Sequence, residues 1–193
     1  PQDFYQRSAV EVAKDLLGKI FVHNSSYLLT GKIVEVEAYN GAIDKAAHSF
    51  NGKTNRNEVM FQAGGLLYVY FIYGSHFCAN VVTGYENDGS AVLIRGIEPI
   101  EGIDEFAKNR FGKIALNKNE TNNLTNGPGK ICKAYNINKT HNGTDLTKDQ
   151  IFISFPFDNE NFSIIETTRI GIKKSVDLKW RFYIEGNKFV SKF

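Results

Sequence analysis

The sequence predicts an α+β domain built on a mainly antiparallel sheet. Short runs of β-branched and aromatic residues are separated by turn-forming residues, as in hairpins, and capped helical segments lie between these runs. The 193 residues are 42% hydrophobic and 23% charged, which excludes a largely disordered chain. We find no repeat, low-complexity segment or linker. The sequence therefore predicts one domain over residues 1–193.

The first predicted element is a helix. Ser8 and Glu11 have the spacing of a capping box, and apolar residues follow at helical spacing until Gly18, a residue typical of helix ends. The other elements are assigned in the same way, strands from β-branched and aromatic runs and helices from their capping residues. In chain order they are strands over 20–22 and up to Tyr39, short helical turns within 44–62, strands over 66–73, 77–82 and 91–97, a helix over 101–111, a loop over 112–126, a helix over 128–135, and strands over 151–155, 169–172 and 181–184.

The composition limits the classes of function. A net charge of +2 permits a phosphate-binding face without requiring one. Cys78 and Cys132 form no CxxC pair and the four histidines are scattered, so the spacing indicates neither a zinc site nor a disulfide framework. We expect no metal and no cofactor. No segment has the pattern of a signal peptide or a membrane span, so we expect a reduced, intracellular protein with no membrane partner.

The strand that ends at Tyr39 alternates apolar and polar side chains. Its apolar face is expected to be core, whereas Glu35, Glu37 and Tyr39 share the opposite face. Two interpretations of that second face remain open. It is either a solvated strand face, which this segment alone favours, or a carboxylate about 7 Å from an aromatic ring. The second arrangement suits the stacking of a planar ligand while the carboxylate reaches its edge.

The next strand is rich in tyrosine. Both of its faces are apolar or aromatic, which is typical of a central, buried strand. Tyr73 ends it directly before Gly74, so its side chain is expected to protrude from a tight turn. Protruding aromatic side chains can wedge into a base stack.

Two polar residues interrupt apolar strands. A buried cation is unfavourable unless it is paired, so Arg95 is expected to pair with Glu37 or Glu98. Asn80 must likewise find a partner in the fold or in a ligand. His48 lies on a predicted short helix, where a lone histidine is more often structural than catalytic.

A series of short motifs spans nearly the whole chain and contains these candidate residues. In order, the motifs are EAYNG (37–41), AAHS (46–49), LYVYFIYG (67–74), FCAN (77–80), VLIRGIEP (92–99), GPGKIC (127–132), RIGI (169–172) and RFY (181–183). Together they resemble the 3-methyladenine (alkyladenine) DNA glycosylase family, and they occur in that family's order. Ser75 and His76 depart from the family's pattern at the turn after Tyr73.

The resemblance implies a compact domain with a curved, mostly antiparallel sheet and surrounding helices. It implies a monofunctional enzyme of base-excision repair that flips damaged purines out of double-stranded DNA. The enzyme would hydrolyse the N-glycosidic bond with an activated water and leave an abasic site. Implied substrates are 3-methyladenine, 7-methylguanine, ethenoadenine and hypoxanthine. We further expect a monomer that needs no metal and, if the source is bacterial, a cytoplasmic enzyme associated with the nucleoid.

The resemblance also implies a catalytic group of residues. Glu37 would activate the attacking water. Arg95 and the backbone carbonyl of Ile170 would help to hold that water.

A second group would bind the DNA base. Tyr39 would stack on one face of the flipped base, and His48 and Tyr70 on the other, while the backbone amide near His48 would read the base edge. Asn80 would lie under the base and disfavour the exocyclic amine of guanine. Tyr73 would insert into the duplex and fill the gap.

Two other functions remain possible from the sequence. A non-catalytic nucleic-acid-binding module could stack bases on Tyr68, Tyr70 and Tyr73, but it would not explain Glu37 and Arg95 beside them. A small-molecule transferase fits the mixed fold and little else.

Overall fold

A computed structural model describes residues 1–156 and 160–191, and the strands in these ranges form one antiparallel sheet. The strands are β1 (Ile20–Asn24), β2 (Leu28–Asn40), β3 (Leu67–Ile72), β4 (His76–Thr83), β5 (Ser90–Glu101), β6 (Ile151–Ser154), β7 (Ile164–Thr167) and β8 (Arg181–Ile184). The α-helices are α1 (Gln2–Tyr5), α2 (Ala9–Leu16), α3 (Ile103–Phe111), α4 (Lys118–Asn122) and α5 (Pro128–Ala134), with 3₁₀ turns at Glu58–Phe61 and Lys139–His141. The α+β class and the curved, mainly antiparallel sheet are confirmed.

The long strand β2 organises the sheet, whose main path runs β3-β4-β5-β2-β1-β6. One edge of β2 pairs with β5 along almost its whole length. The other edge pairs first with β1 and then, over Glu35–Glu37, with β8. β7 pairs with β8. The acidic part of β2 therefore lies at the centre of the sheet, with a paired strand on each side.

The two faces of the sheet have different roles. Helices α2 and α5 pack on one face, where alternate residues such as Val36 and Ile94 are completely or almost completely buried. The opposite face carries the neighbours of these residues in sequence, including Glu37 and Arg95. Because alternate side chains point to opposite faces, the apolar residues form the core while the intervening polar residues gather on the other side.

The pairing of β2 with β5 is irregular beside Arg95. Glu35 pairs with Gly96 and Val36 pairs with Ile94, so Arg95 lies in a register shift. Such irregularities redirect side chains and often lie next to active sites. A Cβ atom at Gly96 would lie 2.7 Å from the backbone oxygen of Phe189. Only glycine therefore allows the backbone around Phe189 to pass this close to the register shift in β5.

Helix α2 begins as predicted. The Ser8 hydroxyl accepts a hydrogen bond from the backbone N–H of Glu11, and the Glu11 carboxylate accepts one from the backbone N–H of Ser8 (3.3 Å each). Two other predictions are wrong. β3 is an edge strand and not a central one, because it pairs with β4 on one side and hydrogen-bonds on the other side to the 142–145 loop instead of another strand. The predicted loop 112–126 contains α4, which Asn117 and Glu120 cap with a second capping box.

The strand predicted over 169–172 is also wrong. The strand lies earlier, as β7, and residues 169–172 form a bend. Gly171 has a φ of +75°, which a strand does not tolerate. The backbone N–H of Ile170 and the side chain of Arg169 bond to acidic side chains, so this segment serves the site described next.

No helix within the described ranges is both long and apolar enough to cross a membrane.

Candidate active site

An open cleft of about 640 Å³ lies on the polar face of the sheet. It is bounded by the end of β2, the loop that carries His48, the β3–β4 hairpin, the start of α5 and the bend at 170–174. Its volume falls within the ordinary range for small-ligand pockets. Five predicted base-contact or wedge residues line it, namely Tyr39, His48, Tyr70, Tyr73 and Asn80, together with Arg95 and Ile170.

One wall of the cleft is a cluster of aromatic rings. His48 meets Tyr70 edge to face, with ring centroids 4.5 Å apart, and Tyr70 stacks on Tyr68 at 5.4 Å. The Tyr68 hydroxyl lies 3.3 Å from Nδ1 of His48. Burial raises the pKa of Tyr68 to about 12, so this hydroxyl remains protonated at neutral pH. Tyr68 supports the wall from below and is almost fully buried.

Glu37 lies beneath the cleft and is completely buried. Its Oε1 accepts a hydrogen bond from the backbone N–H of Ile170 (2.7 Å), and its Oε2 accepts one from the Tyr39 hydroxyl (2.8 Å). The Arg95 guanidinium approaches both oxygens at 3.4–3.5 Å. The interpretation of this strand face as solvated is therefore wrong.

The surroundings of Glu37 act on its pKa in opposite directions. Burial, the largest influence, raises the pKa, whereas the Arg95 charge and the hydrogen bonds from Ile170 and Tyr39 lower it. Burial prevails, so the pKa of Glu37 is raised above its ordinary value. A carboxylate in this state is a stronger proton acceptor than a solvated one, which suits a general base.

The partner of Arg95 was only partly predicted. Arg95 Nε donates to Glu35 Oε1 at 3.0 Å as well as approaching Glu37. The alternative prediction, that Arg95 pairs with Glu98, is wrong. The Glu98 carboxylate lies 3.4 Å from Lys32 and accepts a hydrogen bond from the Asn187 side chain. A buried arginine between two buried carboxylates satisfies the rule that buried charges must be compensated.

Glu35 was missed as a site residue, although its alternation with Glu37 placed both on one face. It is completely buried and also accepts hydrogen bonds from Arg181 Nε (2.7 Å) and from the backbone N–H of Ser191 (2.6 Å). The Ser191 hydroxyl lies 2.8 Å from Glu35 and 3.2 Å from Arg95 Nη2. Glu35 therefore fixes Arg95 from the side opposite the cleft.

Asn80 is buried at the floor of the cleft. Its Nδ2 donates to the backbone oxygen of Tyr68 at 3.2 Å, which fixes the orientation of the amide. Cys78 and Leu93 line the cleft beside it. Cys78 and Leu93 were not predicted as site residues, and nothing in their local sequence separates them from ordinary core positions, whereas Tyr68 was expected at a site only in the alternative of a nucleic-acid-binding module.

Tyr73 lies at the tip of the β3–β4 hairpin and is 83% exposed. Its φ is +52° and that of Gly74 is +66°. Two successive positive φ angles are typical of type I′ hairpin turns, where a non-glycine residue is strained. The turn thus presents a large aromatic ring to solvent at the mouth of the cleft.

Basic side chains lie at the rim of the cleft. Lys45, Lys173 and Lys174 line it, whereas Arg56 donates to the backbone oxygen of Phe71 at 3.0 Å. Lys130, which follows the cleft-lining Gly129, donates hydrogen bonds to the side-chain oxygens of Asn123 and Asn126. Among residues 1–156 and 160–191, no three His, Cys, Asp or Glu side chains are grouped so that they could hold a metal ion.

Comparison with known proteins gives a consistent result. The model of the methylpurine-DNA glycosylase family matches residues 3–188. A protein from Clostridium novyi, provisionally named 3-methyladenine DNA glycosylase, is 52% identical over 198 residues, covering 99% of this chain and 97% of its own length. Proteins with the same name from Clostridium botulinum and Alkaliphilus oremlandii are 47% and 48% identical, covering 99% and 98% of this chain and 98% and 96% of their own lengths.

A buried carboxylate beneath an aromatic cleft, together with these matches, defines a DNA glycosylase, an enzyme of DNA repair. The chain belongs to the methylpurine-DNA glycosylase family. Its substrate is therefore DNA, and the non-catalytic binding module is not supported.

Proposed function

We propose that this chain is a monofunctional DNA glycosylase that flips alkylated or deaminated purines out of duplex DNA and hydrolyses their N-glycosidic bond. The observation that supports this most directly is the buried Glu37 carboxylate, held by Arg95 and a backbone amide beneath an aromatic cleft. The proposed substrates are 3-methyladenine, 7-methylguanine, ethenoadenine and hypoxanthine.

The proposed reaction uses water as the nucleophile. The bond between C1′ and the base breaks through a transition state with positive charge on the sugar, and the base leaves with the electron pair. Glu37 takes a proton from water while the water oxygen bonds to C1′, so the product is an intact abasic site. The Glu37 anion also stabilises the charged sugar. Arg95 and the Ile170 carbonyl would hold the water.

The cleft walls supply the proposed base site. Tyr39 would stack on one face of the flipped base, and His48 and Tyr70 on the other. The backbone amide near His48 would read the base edge. The Asn80 amide, fixed by its bond to a backbone oxygen, would lie under the base and oppose the 2-amino group of guanine.

The exposed hairpin tip supplies the proposed wedge. Tyr73 would enter the stack and replace the flipped nucleotide, which offsets part of the unstacking free energy. We propose that residues 1–193 act as a single, monomeric domain on double-stranded DNA. If the source is bacterial, as in the relatives compared, the substrate lies in the nucleoid and the enzyme acts in the cytoplasm.

A base-release assay tests this proposal. Duplexes that each contain one defined lesion are incubated with enzyme, and strands are analysed with and without alkali. We expect strand breaks only after alkali, no protein–DNA adduct on borohydride reduction, and no effect of chelators. Strand cleavage by the enzyme alone would contradict the monofunctional mechanism. Failure to release any of the four bases would contradict the proposed function.

A further inference from the structure

A buried ion pair, Arg169 and Asp44, lies behind the ring of Tyr39. The Arg169 guanidinium makes two hydrogen bonds to Asp44, one through Nη1 (2.5 Å) and one through Nη2 (2.9 Å). Both side chains are completely shielded from solvent. Arg169 precedes Ile170 in the bend, and Asp44 begins the loop that carries His48, so the pair joins two segments that line the cleft.

The guanidinium packs directly on the ring of Tyr39. Its carbon lies 4.6 Å from the ring centroid. Tyr39 lines the cleft whereas the buried Arg169 does not, so the cation occupies the ring face that is turned away from the cleft. Arg169 Nη1 also donates to the backbone oxygen of Ala38 at 2.9 Å. A charge is therefore fixed at a defined distance behind the surface on which the proposed function places the base.

The proposed substrates differ in charge. 7-Methylguanine carries a positive charge in DNA, whereas hypoxanthine is neutral. A base on the open face of Tyr39 would lie about 3.5–4 Å from the ring and hence about 8 Å from the Arg169 guanidinium. Since the two bases differ by one positive charge both before and after bond cleavage, a fixed charge behind the ring affects them unequally throughout the reaction.

We propose that Arg169 and Asp44 are specificity-determining residues, and that the charge balance of this pair behind Tyr39 sets the relative excision of cationic and neutral damaged purines. This inference rests on the proposed function. Arg169 disfavours a cationic base, and Asp44 offsets that effect. Removing either partner alone leaves an uncompensated charge, and the two removals have opposite signs.

The effect is large enough to measure. A unit charge at about 8 Å, in an effective dielectric of roughly 20 to 40, changes the preference between the two bases by at least about fivefold. A purely structural role would instead lower both rates together, because a disturbed Tyr39 harms the stacking of either base.

The test compares kcat/KM for 7-methylguanine and hypoxanthine in otherwise identical duplexes, measured on the same enzyme preparation. The ratio of the two values does not depend on the fraction of active enzyme. We expect Arg169→Gln to raise the ratio of 7-methylguanine to hypoxanthine excision at least about fivefold and Asp44→Asn to lower it. Arg169→Lys, which keeps the charge, and the double variant should remain near the wild-type ratio.

Lys173→Gln is the matched control, because it removes an exposed positive charge at the cleft rim, which solvent and ions screen, whereas the charges of Arg169 and Asp44 are fully buried. It should lower both kcat/KM values in equal proportion. Unchanged ratios in Arg169→Gln and Asp44→Asn would overturn the inference. Shifts of the same sign in the two variants would also overturn it, as would complete loss of both excision activities in each of them. A wild-type enzyme that releases neither base would contradict the proposed function, which is a distinct outcome.

Discussion

Replacement of Glu37 by Gln isolates the chemical step from folding and binding. The structure accommodates the amide, because Gln Oε1 can accept from the Ile170 N–H while Gln Nε2 donates to the Tyr39 hydroxyl, which can accept as well as donate. Arg95 loses its long contact with Oε2 (3.5 Å) but keeps its bond to Glu35. Burial is the main cause of the raised pKa of Glu37, so the ionised carboxylate destabilises the folded state, and a neutral amide removes this destabilisation.

The magnitude follows from the two functions that Gln cannot perform. Loss of a general base lowers a rate by about 10²–10⁴. Loss of a preorganised charge in a water-poor site lowers it by roughly a further 10²–10³. We therefore expect single-turnover excision of ethenoadenine to fall by at least about 10³, with lesion binding and the melting temperature close to wild type.

The assay pairs single-turnover excision with a binding titration on the same duplex. Glu86→Gln is the control, since Glu86 is an exposed carboxylate in the β4–β5 loop, and its excision rate should stay within about twofold of wild type. An E37Q enzyme that binds the lesion and cleaves at a near-normal rate would refute the reasoning.

Four further predictions follow from the same geometry. Tyr73→Ser should weaken binding to lesion-containing duplex and lower excision, because the wedge is lost; wild-type excision from duplex DNA would rule this role out. Asn80→Ser should raise the release of guanine-type bases relative to hypoxanthine, and an unchanged ratio would place the discrimination elsewhere. Because the pKa of Glu37 is raised and its ionised form is the active one, excision should be lost as the pH falls through a midpoint above the ordinary value of 4.5; a pH–rate profile measures this, and a midpoint at or below that value would contradict it. Ser191→Ala removes a hydroxyl bonded to Glu35 and should lower the free energy of unfolding by about 1–3 kcal/mol, as measured by urea denaturation; an unchanged midpoint would show that this contact is unimportant.

The sequence predicted most of the fold because its local signals agree. The Ser8–Glu11 capping box, the alternation along β2 and the glycine after Tyr73 each specify a local geometry that the structure retains. Where local and tertiary requirements differ, prediction failed. Residues 169–172 have the composition of a strand, but their polar groups bond to Asp44 and Glu37, which are more than 120 positions away in the chain.

The candidate site was predictable only in part for the same reason. Arg95 and Asn80 stood out as polar residues in apolar strands, which is a signal that one sequence can supply. Glu35 carried no such signal, because alternation with Glu37 is equally consistent with a solvated face. Its burial depends on Ser191, which lies 156 positions later. No local pattern predicts such a contact.

The contact between Glu35 and Ser191 also orders the events of folding. Strand β2 is synthesised early in translation, but Glu35 can form its hydrogen bond with Ser191 only after the segment beyond β8 has been synthesised. Contacts between residues this distant in the chain form slowly, since the entropy of closing the intervening loop must be overcome first. A nascent chain that stops at β8 therefore contains Glu35 and Arg95 without their hydrogen bonds with Ser191.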